Sequence, residues 1–598
     1  VAATQAAGTF MSDGPPPSED TAGDTAGDTG EIPVLLGGDF FDASDDAEIA
    51  IATTVPSLSE GATGLRRAVS SMALGTALSR GSGVIRVLVL AYVLGISPLA
   101  DAYNLANTIP NMLYDVVIGG VLGATFIPVF IERLAKRSER EAWRSISSVV
   151  TLAVIVLAVS TVAFFLAAPW IIDAFTAFNH SGINDPQKLA LQRQLSTDLL
   201  RWFTPQILLY GLLGIGGALL NVRRRFGAPM WVPIANNIVC IGVLIIFAMV
   251  APSPTLHSVA ISPGQIALLG AGTTAGVAIQ LLLLGPSLWK AKLGRVRWRL
   301  DLKDEAVTAV LRLGSWTFGI VVLNQIALFV VIALAFSSGG PGPVSAYTYA
   351  YAFMQMPYAI VAVSVMSGIT PDLSHHHAVS EHEAFSRRFG TGLRATLALI
   401  IPASLVLFML AKPLTALLLG HGASDPRQTA QTASALAKLS LGLPGFTVFQ
   451  YCIRALQARR EAATAFVLYV GENVANVVFA LLLVRPLGLG GVALSVSIGY
   501  TLAAVVALFV LHQRMGRLGP AGCFRPLVRV SLASVIMSLL LLVISNLSTS
   551  TSVIGLLTRV MGALVIGGLA YLLVAAFLGR RTRRKGGRRD HRARSLAD

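Results

Sequence analysis

Two arginines, Arg80 and Arg86, stand in a stretch from about Val69 to Ile96 that otherwise suits a membrane-spanning helix. A cation at the bilayer centre costs about 2.5–3.5 kcal/mol on the most lenient scale, so such residues are seldom idle. Arginine also offers a planar fork of donors that holds a phosphate through two hydrogen bonds at once. The chemistry this pair suits is capture of an anionic group at mid-depth. On a straight helix the second arginine points about 120° away from the first. Between them stands Gly81-Ser82-Gly83. A bend at Gly81 and Gly83 would turn both guanidiniums toward one cavity. The plainer reading is that each arginine pairs with a nearby acid or snorkels.

Asp101 and Asp115 lie on the next span. Asp101 falls at its outer end, where an acid suits a helix cap as well as a ligand. Asp115 lies about 21 Å of helix rise from that end, and Arg80 about 24 Å. An Arg80–Asp115 pair is therefore expected, either structural or a latch with which a phosphate competes. Farther along, Glu472 and Asn476 share a helix face, with Asn473 beside them. A carboxyl inside a membrane is protonated or paired with a cation, so this group reads as a coupling-ion or proton site, or as interhelical hydrogen bonding.

Other clusters carry less. The glycines of GLLGIGGALL (Gly211, Gly214, Gly216, Gly217) follow no strand, and close helix packing explains them better than nucleotide binding. His375, His376, His377 and His382 fall with Glu381 and Glu383 in what reads as a solvated polar loop rather than a metal site. Cys240, Cys452 and Cys523 have no paired spacing. No Ser–His–Asp or HExxH pattern appears. Neither an enzyme nor a cofactor or metal is indicated.

The elements that must position these residues are membrane helices. The 598 residues are 54% hydrophobic and 13% charged, with mean hydropathy +0.69. That is too apolar for a water-facing globule. Apolar runs long enough to cross the bilayer recur at about fourteen places, giving an all-α polytopic membrane protein. The net charge of +15 does not indicate nucleic acid. Residues 1–65 hold no Lys or Arg and many acids, reading as a disordered extension without a signal peptide; the start at Val1 reads as that of a fragment. Alternate loops carry the basic residues, for example Arg223 to Arg225 and Lys290 to Arg299. That set and both termini are expected in the cytoplasm of a multi-pass plasma-membrane protein. The tail from residue 579 is strongly basic and expected to lie on anionic lipid.

A faint repeat organises the spans. DAYNLA and FIPVF bracket span two, as SAYTYA and ITPDL bracket span eight. An even offset gives parallel copies, hence two pseudo-symmetric lobes of about six helices each. The expected divisions are 66–300, 301–520, two extra helices over 521–578, and the tail 579–598.

From Leu78 to Phe130 the chain reads LSRGSGVIRVLVLAYVLGISPLADAYNLANTIPNMLYDVVIGGVLGATFIPVF. SRxxGxxR, the DA opening of span two, PNxL and FxPVF resemble the MurJ/MviN family of lipid II flippases, part of the multidrug/oligosaccharidyl-lipid/polysaccharide exporter superfamily. Two further stretches match, Phe203 to Val239 and Pro357 to Pro371, and the resemblance covers residues 70–578. It implies a flippase carrying the undecaprenyl-diphosphate-linked peptidoglycan precursor, lipid II, from inner to outer leaflet by alternating access. It also implies that Ser79, Arg80, Arg86 and Asp101 line a central cavity, and that the last two spans form a groove for the lipid tail. The chain departs from the family at Tyr114 and Asp115, where bases are usual, at Ala352, where an arginine is common, and at Val330 or Val331, near an acid that binds sodium in some members. The overall style resembles actinobacterial members. Competing readings are an ion-coupled multidrug or polysaccharide-lipid exporter, or a non-transporting scaffold that recruits cell-wall synthesis proteins.

Overall fold

The computed structural model describes residues 62–116, 130–131, 133, 138–178, 185–223, 225, 227–291, 293, 296–308, 315–515, 520–547 and 552–594. The expectations for residues 1–61 and for most of FIPVF lie outside the described residues. The described elements are helices. They run α1 Ala62–Leu94, α2 Pro98–Tyr114, α3 Glu139–Thr176, α4 Pro186–Phe203, α5 Pro205–Val222, α6 Gly227–Val250, the short α7 Leu256–Ala260, and α8 Pro263–Lys290. After the linker come α9 Ser315–Ser337, α10 Pro343–Pro357, α11 Val363–Ala378, α12 His382–Leu419, α13 Pro426–Ala458, α14 Ala462–Leu487, α15 Leu489–Met515, α16 Pro520–Leu547 and α17 Val553–Arg594.

Among the described residues, 11 stretches are long and apolar enough to cross a membrane. The remaining expected spans fall on α2, on the more polar α13, and on α16, which contains the shorter apolar stretch Val528–Val543. Helix starts follow local chemistry. Proline stands in the first turn of α2, α4, α5, α8, α10 and α13, where its fixed φ helps and its missing N–H costs nothing. Asp185 caps α4 by accepting from Gln187 N at 3.0 Å, and Asp425 caps α13 in a capping box.

Two sequence expectations need revision. The fourth apolar run, expected from about residue 197, belongs to a helix pair that starts earlier: α4 begins at Pro186, and its polar first half is held by Gln192 Nε2 donating to Pro98 O at 3.2 Å. The histidine run is not a loop, because α11 continues to Ala378; His376 Nδ1 lies 2.8 Å from Glu381 Oε2. Apart from these two points, the basic tail continues α17 as helix to Arg594. Part of the glycine run packs closely as expected: a Cβ on buried Gly211 of α5 would strike Leu157 of α3, and one on Gly216 would meet Leu284 of α8, whereas one on Gly217 would meet nothing.

Helices α1 to α8 pack chiefly on one another, as do α9 to α15, while α16 and α17 pack together against α12. The repeat shows in backbone form. Each copy carries an internal proline, Pro110 or Pro357, and then leaves α geometry for π turns at Asp115–Val116 and Tyr358–Ala362. A missing proline donor and a locally widened helix commonly go together.

The two groups of helices meet tightly along one end. Gly342 has φ +71°, and a Cβ there would run into the backbone of Ile96 and Ser97. Ala423 N donates to Tyr92 O at 3.0 Å beside it. Gly342→Ala should thus cost a left-handed backbone about 1–2 kcal/mol and also force the seam apart. A clearly lower melting temperature in detergent is the expected outcome, measured against Gly217→Ala, where a Cβ meets nothing.

Candidate functional site

Across that seam lies the best-satisfied buried charge among the described residues. Asp101 is 1% exposed. It does not cap its own helix, because Ser97 Oγ already accepts from Ala100 N at 3.2 Å. Its carboxylate reaches α10 in the other group of helices. Oδ1 accepts from Ser345 N and Ser345 Oγ, each at 2.7 Å, and Oδ2 from Val344 N at 3.4 Å. Those N–H groups belong to the first turn of α10, the ones a capping side chain normally satisfies. The residue at the cap position is Gly342, which has no side chain. Asp101 therefore supplies the missing cap from the opposite side of the seam, at the positive end of the α10 dipole. Asn104 Nδ2 donates to Ser345 Oγ at 2.9 Å and completes the patch.

Deeper on α1, Ser79 is buried, and Arg80 and Arg86 are half-buried. The helix is unbroken from Ala62 to Leu94. Around the glycines the Ser79 carbonyl takes side-chain donors as well: it accepts from Ser82 Oγ at 2.8 Å and from Asn237 Nδ2 at 3.3 Å. Back-bonding of this kind bends helices. Gly83 stands midway between the arginines, about 60° around the helix and about 4.5 Å along it from each. The two arginine positions thus flank a residue without a side chain. Ser79 Oγ is buried and makes no hydrogen bond. An apolar groove of about 680 Å³ opens on the other side of α1, between Ile85, Tyr92, Ile245, Met249 and Leu418. Its apolar lining suits lipid rather than the charged group.

Asp115 has a partner that the sequence did not suggest. Gln325 Nε2 of α9 donates to its Oδ2 at 3.2 Å, tying the two groups of helices together at a second depth. Glu472 is not brought to the arginines. It is 2% exposed and enclosed by helices of the second group. Asn473 Nδ2 donates to Asn324 Oδ1 of α9 at 2.8 Å, and Ser495 Oγ of α15 donates to Asn476 Oδ1 at 3.0 Å. Glu472 Oε1 makes no hydrogen bond. Sequence reasoning followed charges and missed Ser345, Asn237, Asn324 and Gln325, all neutral polar residues whose only signal is polarity within or beside an apolar run.

Helices in two groups, joined by a polar cap at one end and carrying cations at mid-depth, define a polytopic membrane transporter. The family model described as lipid II flippase MurJ matches residues 90–574, and the chain belongs to that family. Arg80 and Arg86 precede the matched range. The chain is 27% identical over 455 residues to the lipid II flippase MurJ of Burkholderia cenocepacia, covering 75% of this chain and 84% of that one. It is 26% identical over 536 residues to the probable lipid II flippase MurJ of Buchnera aphidicola subsp. Acyrthosiphon pisum, covering 86% and 98%. Among solved structures it is similar to a lipid II flippase MurJ in an inward closed conformation, with 22% identity, TM-score 0.68, and coverage of 85% and 99%. An inward-facing MATE multidrug transporter shares the fold at 16% identity and TM-score 0.60, covering 73% and 95%.

If Asp101 is the cap of α10, Asp101→Ala leaves two N–H groups and a hydroxyl without their acceptor. The expected cost is about 1–3 kcal/mol per orphaned group when water cannot reach it. The seam should loosen, and a cysteine at Ser97 should react faster with a membrane-impermeant maleimide. Asp101→Asn keeps an acceptor oxygen and should fall between the two.

Proposed function

We propose that this chain flips lipid II from the inner to the outer leaflet by alternating access, with the division between α8 and α9 separating two rocking lobes. The observation that carries this is the pairing of a seam sealed by a removable cap with two arginines deeper on α1. Arg80 and Arg86, flanking Gly83, hold the diphosphate, and Ser79 Oγ adds a donor. Asp101 belongs to the outer gate. The basic loops and both termini face the cytoplasm, so the Asp101 seam lies outside and the cavity loads from within. The polyprenyl tail rests along α16 and α17, whose outward faces are apolar: Ile554 is 75% exposed and Leu573 70%. The basic end of α17 meets anionic lipid, and cell-wall synthesis proteins are partners on the receiving side.

Asp115 acts here as a depth marker for closure. Its bond to Gln325 must break when the lobes part at that level, and a phosphate on Arg80 would compete with the carboxylate as it returns. Asp115→Asn is expected to tighten substrate binding and slow release. If melting temperature falls while affinity is unchanged, the latch is eliminated in favour of a structural pair.

The arginine claim is tested by leaflet-resolved measurement of lipid II in cells depleted of the native protein. Arg80→Ala and Arg86→Ala are each expected to stop outward movement, and Lys to restore it only in part, because it lacks the fork. Full transport by the double Ala variant at normal expression would end the diphosphate-grip reading. Gly81→Ala meets nothing within 4 Å, and helix propensity gains about 0.8–1.0 kcal/mol. Reduced transport at undiminished stability would mark a needed bend there.

Glu472, with Asn473 and Asn476, is proposed to take up a proton or neutralise a cation during the cycle. Glu472→Gln preserves shape while removing charge. Transport is expected to lose its dependence on pH or sodium; an unchanged profile would assign the residue a packing role.

A further inference from the structure

The linker from α8 to α9 is built unlike the other described connections. Residues 296–301 form no helix. The segment is stitched to α3 by alternate backbone donors: Arg297 N to Ser147 Oγ at 3.2 Å, and Arg299 N to Thr151 Oγ1 at 3.1 Å. Asp304 Oδ2 then accepts from Ser145 Oγ at 3.0 Å, and Arg133 pairs with Glu305 at 2.9 Å. The acceptors on α3 are one helical turn apart, matching the step between alternate residues of an extended chain. The linker is thereby fixed to the first group of helices.

Donors at 297 and 299 that face α3 leave the side chains between and beyond them, Trp298 and Leu300, on a common face. Trp298 is 78% exposed and Leu300 58%; Leu302, in the turn that follows, is 60% exposed, and Trp289 at the end of α8 is 86% exposed. Large apolar side chains this bare are costly in water. Their depth explains them. Ser147 and Thr151 straddle the point on α3 where the charged stretch EREAWRSISS gives way to the apolar run from Val149 to Ile172. The linker therefore lies level with the edge of the hydrocarbon, where tryptophan is enriched. Lys290, Arg297, Arg299 and Lys303 are interspersed with the apolar residues along the chain; Arg299 also pairs with Asp301 at 3.0 Å.

We infer that Trp289 and the 296–302 linker form a membrane anchor that seats in the headgroup layer of an anionic phospholipid leaflet. The inner leaflet is the one reached in the orientation proposed above. The tryptophans and leucines enter the interface, and the lysines and arginines hold lipid phosphates around them. The segment connects the two groups of helices, so its seating pins one of them at fixed depth while the other moves. The acidic composition of such a leaflet would then set how freely the linker lifts.

The test reads depth, not transport, so it stands apart from the flippase reading. The full chain, with Cys240, Cys452 and Cys523 replaced by Ala and Trp298→Cys carrying a nitroxide, is placed in phosphatidylglycerol or phosphatidylcholine nanodiscs. Oxygen is expected to relax the label more than a water-soluble nickel chelate does. The label should sit deeper with phosphatidylglycerol, and Lys290→Gln, Arg297→Gln and Lys303→Gln together should abolish that difference. Leu300→Cys repeats the measurement if Trp298→Cys lowers folded yield. A label relaxed mainly by nickel would show that the face is in water, and one shielded from both reagents would show that protein covers it; either overturns the anchor. Equal depth in both lipids would overturn its anionic preference.

Discussion

The carboxylate of Asp101 sits where two requirements of membrane physics meet. A helix that begins inside protein must have its first N–H groups satisfied, and a buried carboxylate must find donors. Each answers the other across the seam, because α10 opens on a glycine that cannot cap itself and α2 opens on a serine that leaves Asp101 spare. The close approach this needs is supplied by Gly342, whose missing Cβ lets the backbone of Ile96 come near. Much of the closure at this end hangs on this exchange.

Such a contact is strong but replaceable. Hydrogen bonds to a charged group contribute about 1.5–3 kcal/mol when water is excluded. At the end of a membrane protein, water can take over both the N–H groups and the carboxylate as the seam parts. The closed state is stabilised without becoming irreversible, which alternating access requires. The Asp115–Gln325 bond is a weaker contact of the same kind farther in. The arginines of α1 lie on the deeper side of the cap, so a group held there is sealed from one face of the membrane while the cap stands.

The helical architecture was legible because runs of about 20 apolar residues have few other uses. The boundary of α4 was not, since its first half is polar and is kept helical by Asp185 and by contact with α2. Arg80 and Arg86 could be singled out by cost alone. Asp101 could be noticed, yet the helix it caps is the one bearing Ser345, 244 residues away, and no local pattern encodes that pairing. The histidine run misled because polar residues at a helix end resemble a loop in composition. The bare Trp298 of the linker was invisible to a reading by charge, since only the bonds of the linker backbone to α3 turn Trp298 and Leu300 away from the protein.

Asn104 and Ser345 offer the most direct test, because their side chains meet across the seam at 2.9 Å. Asn104→Cys with Ser345→Cys should form a disulfide in the closed state. Oxidation should then halt the appearance of lipid II in the outer leaflet, and a reductant should restore it, while either single cysteine stays unaffected by oxidant. Undiminished transport by the fully oxidised double variant would contradict a cycle that depends on opening this seam.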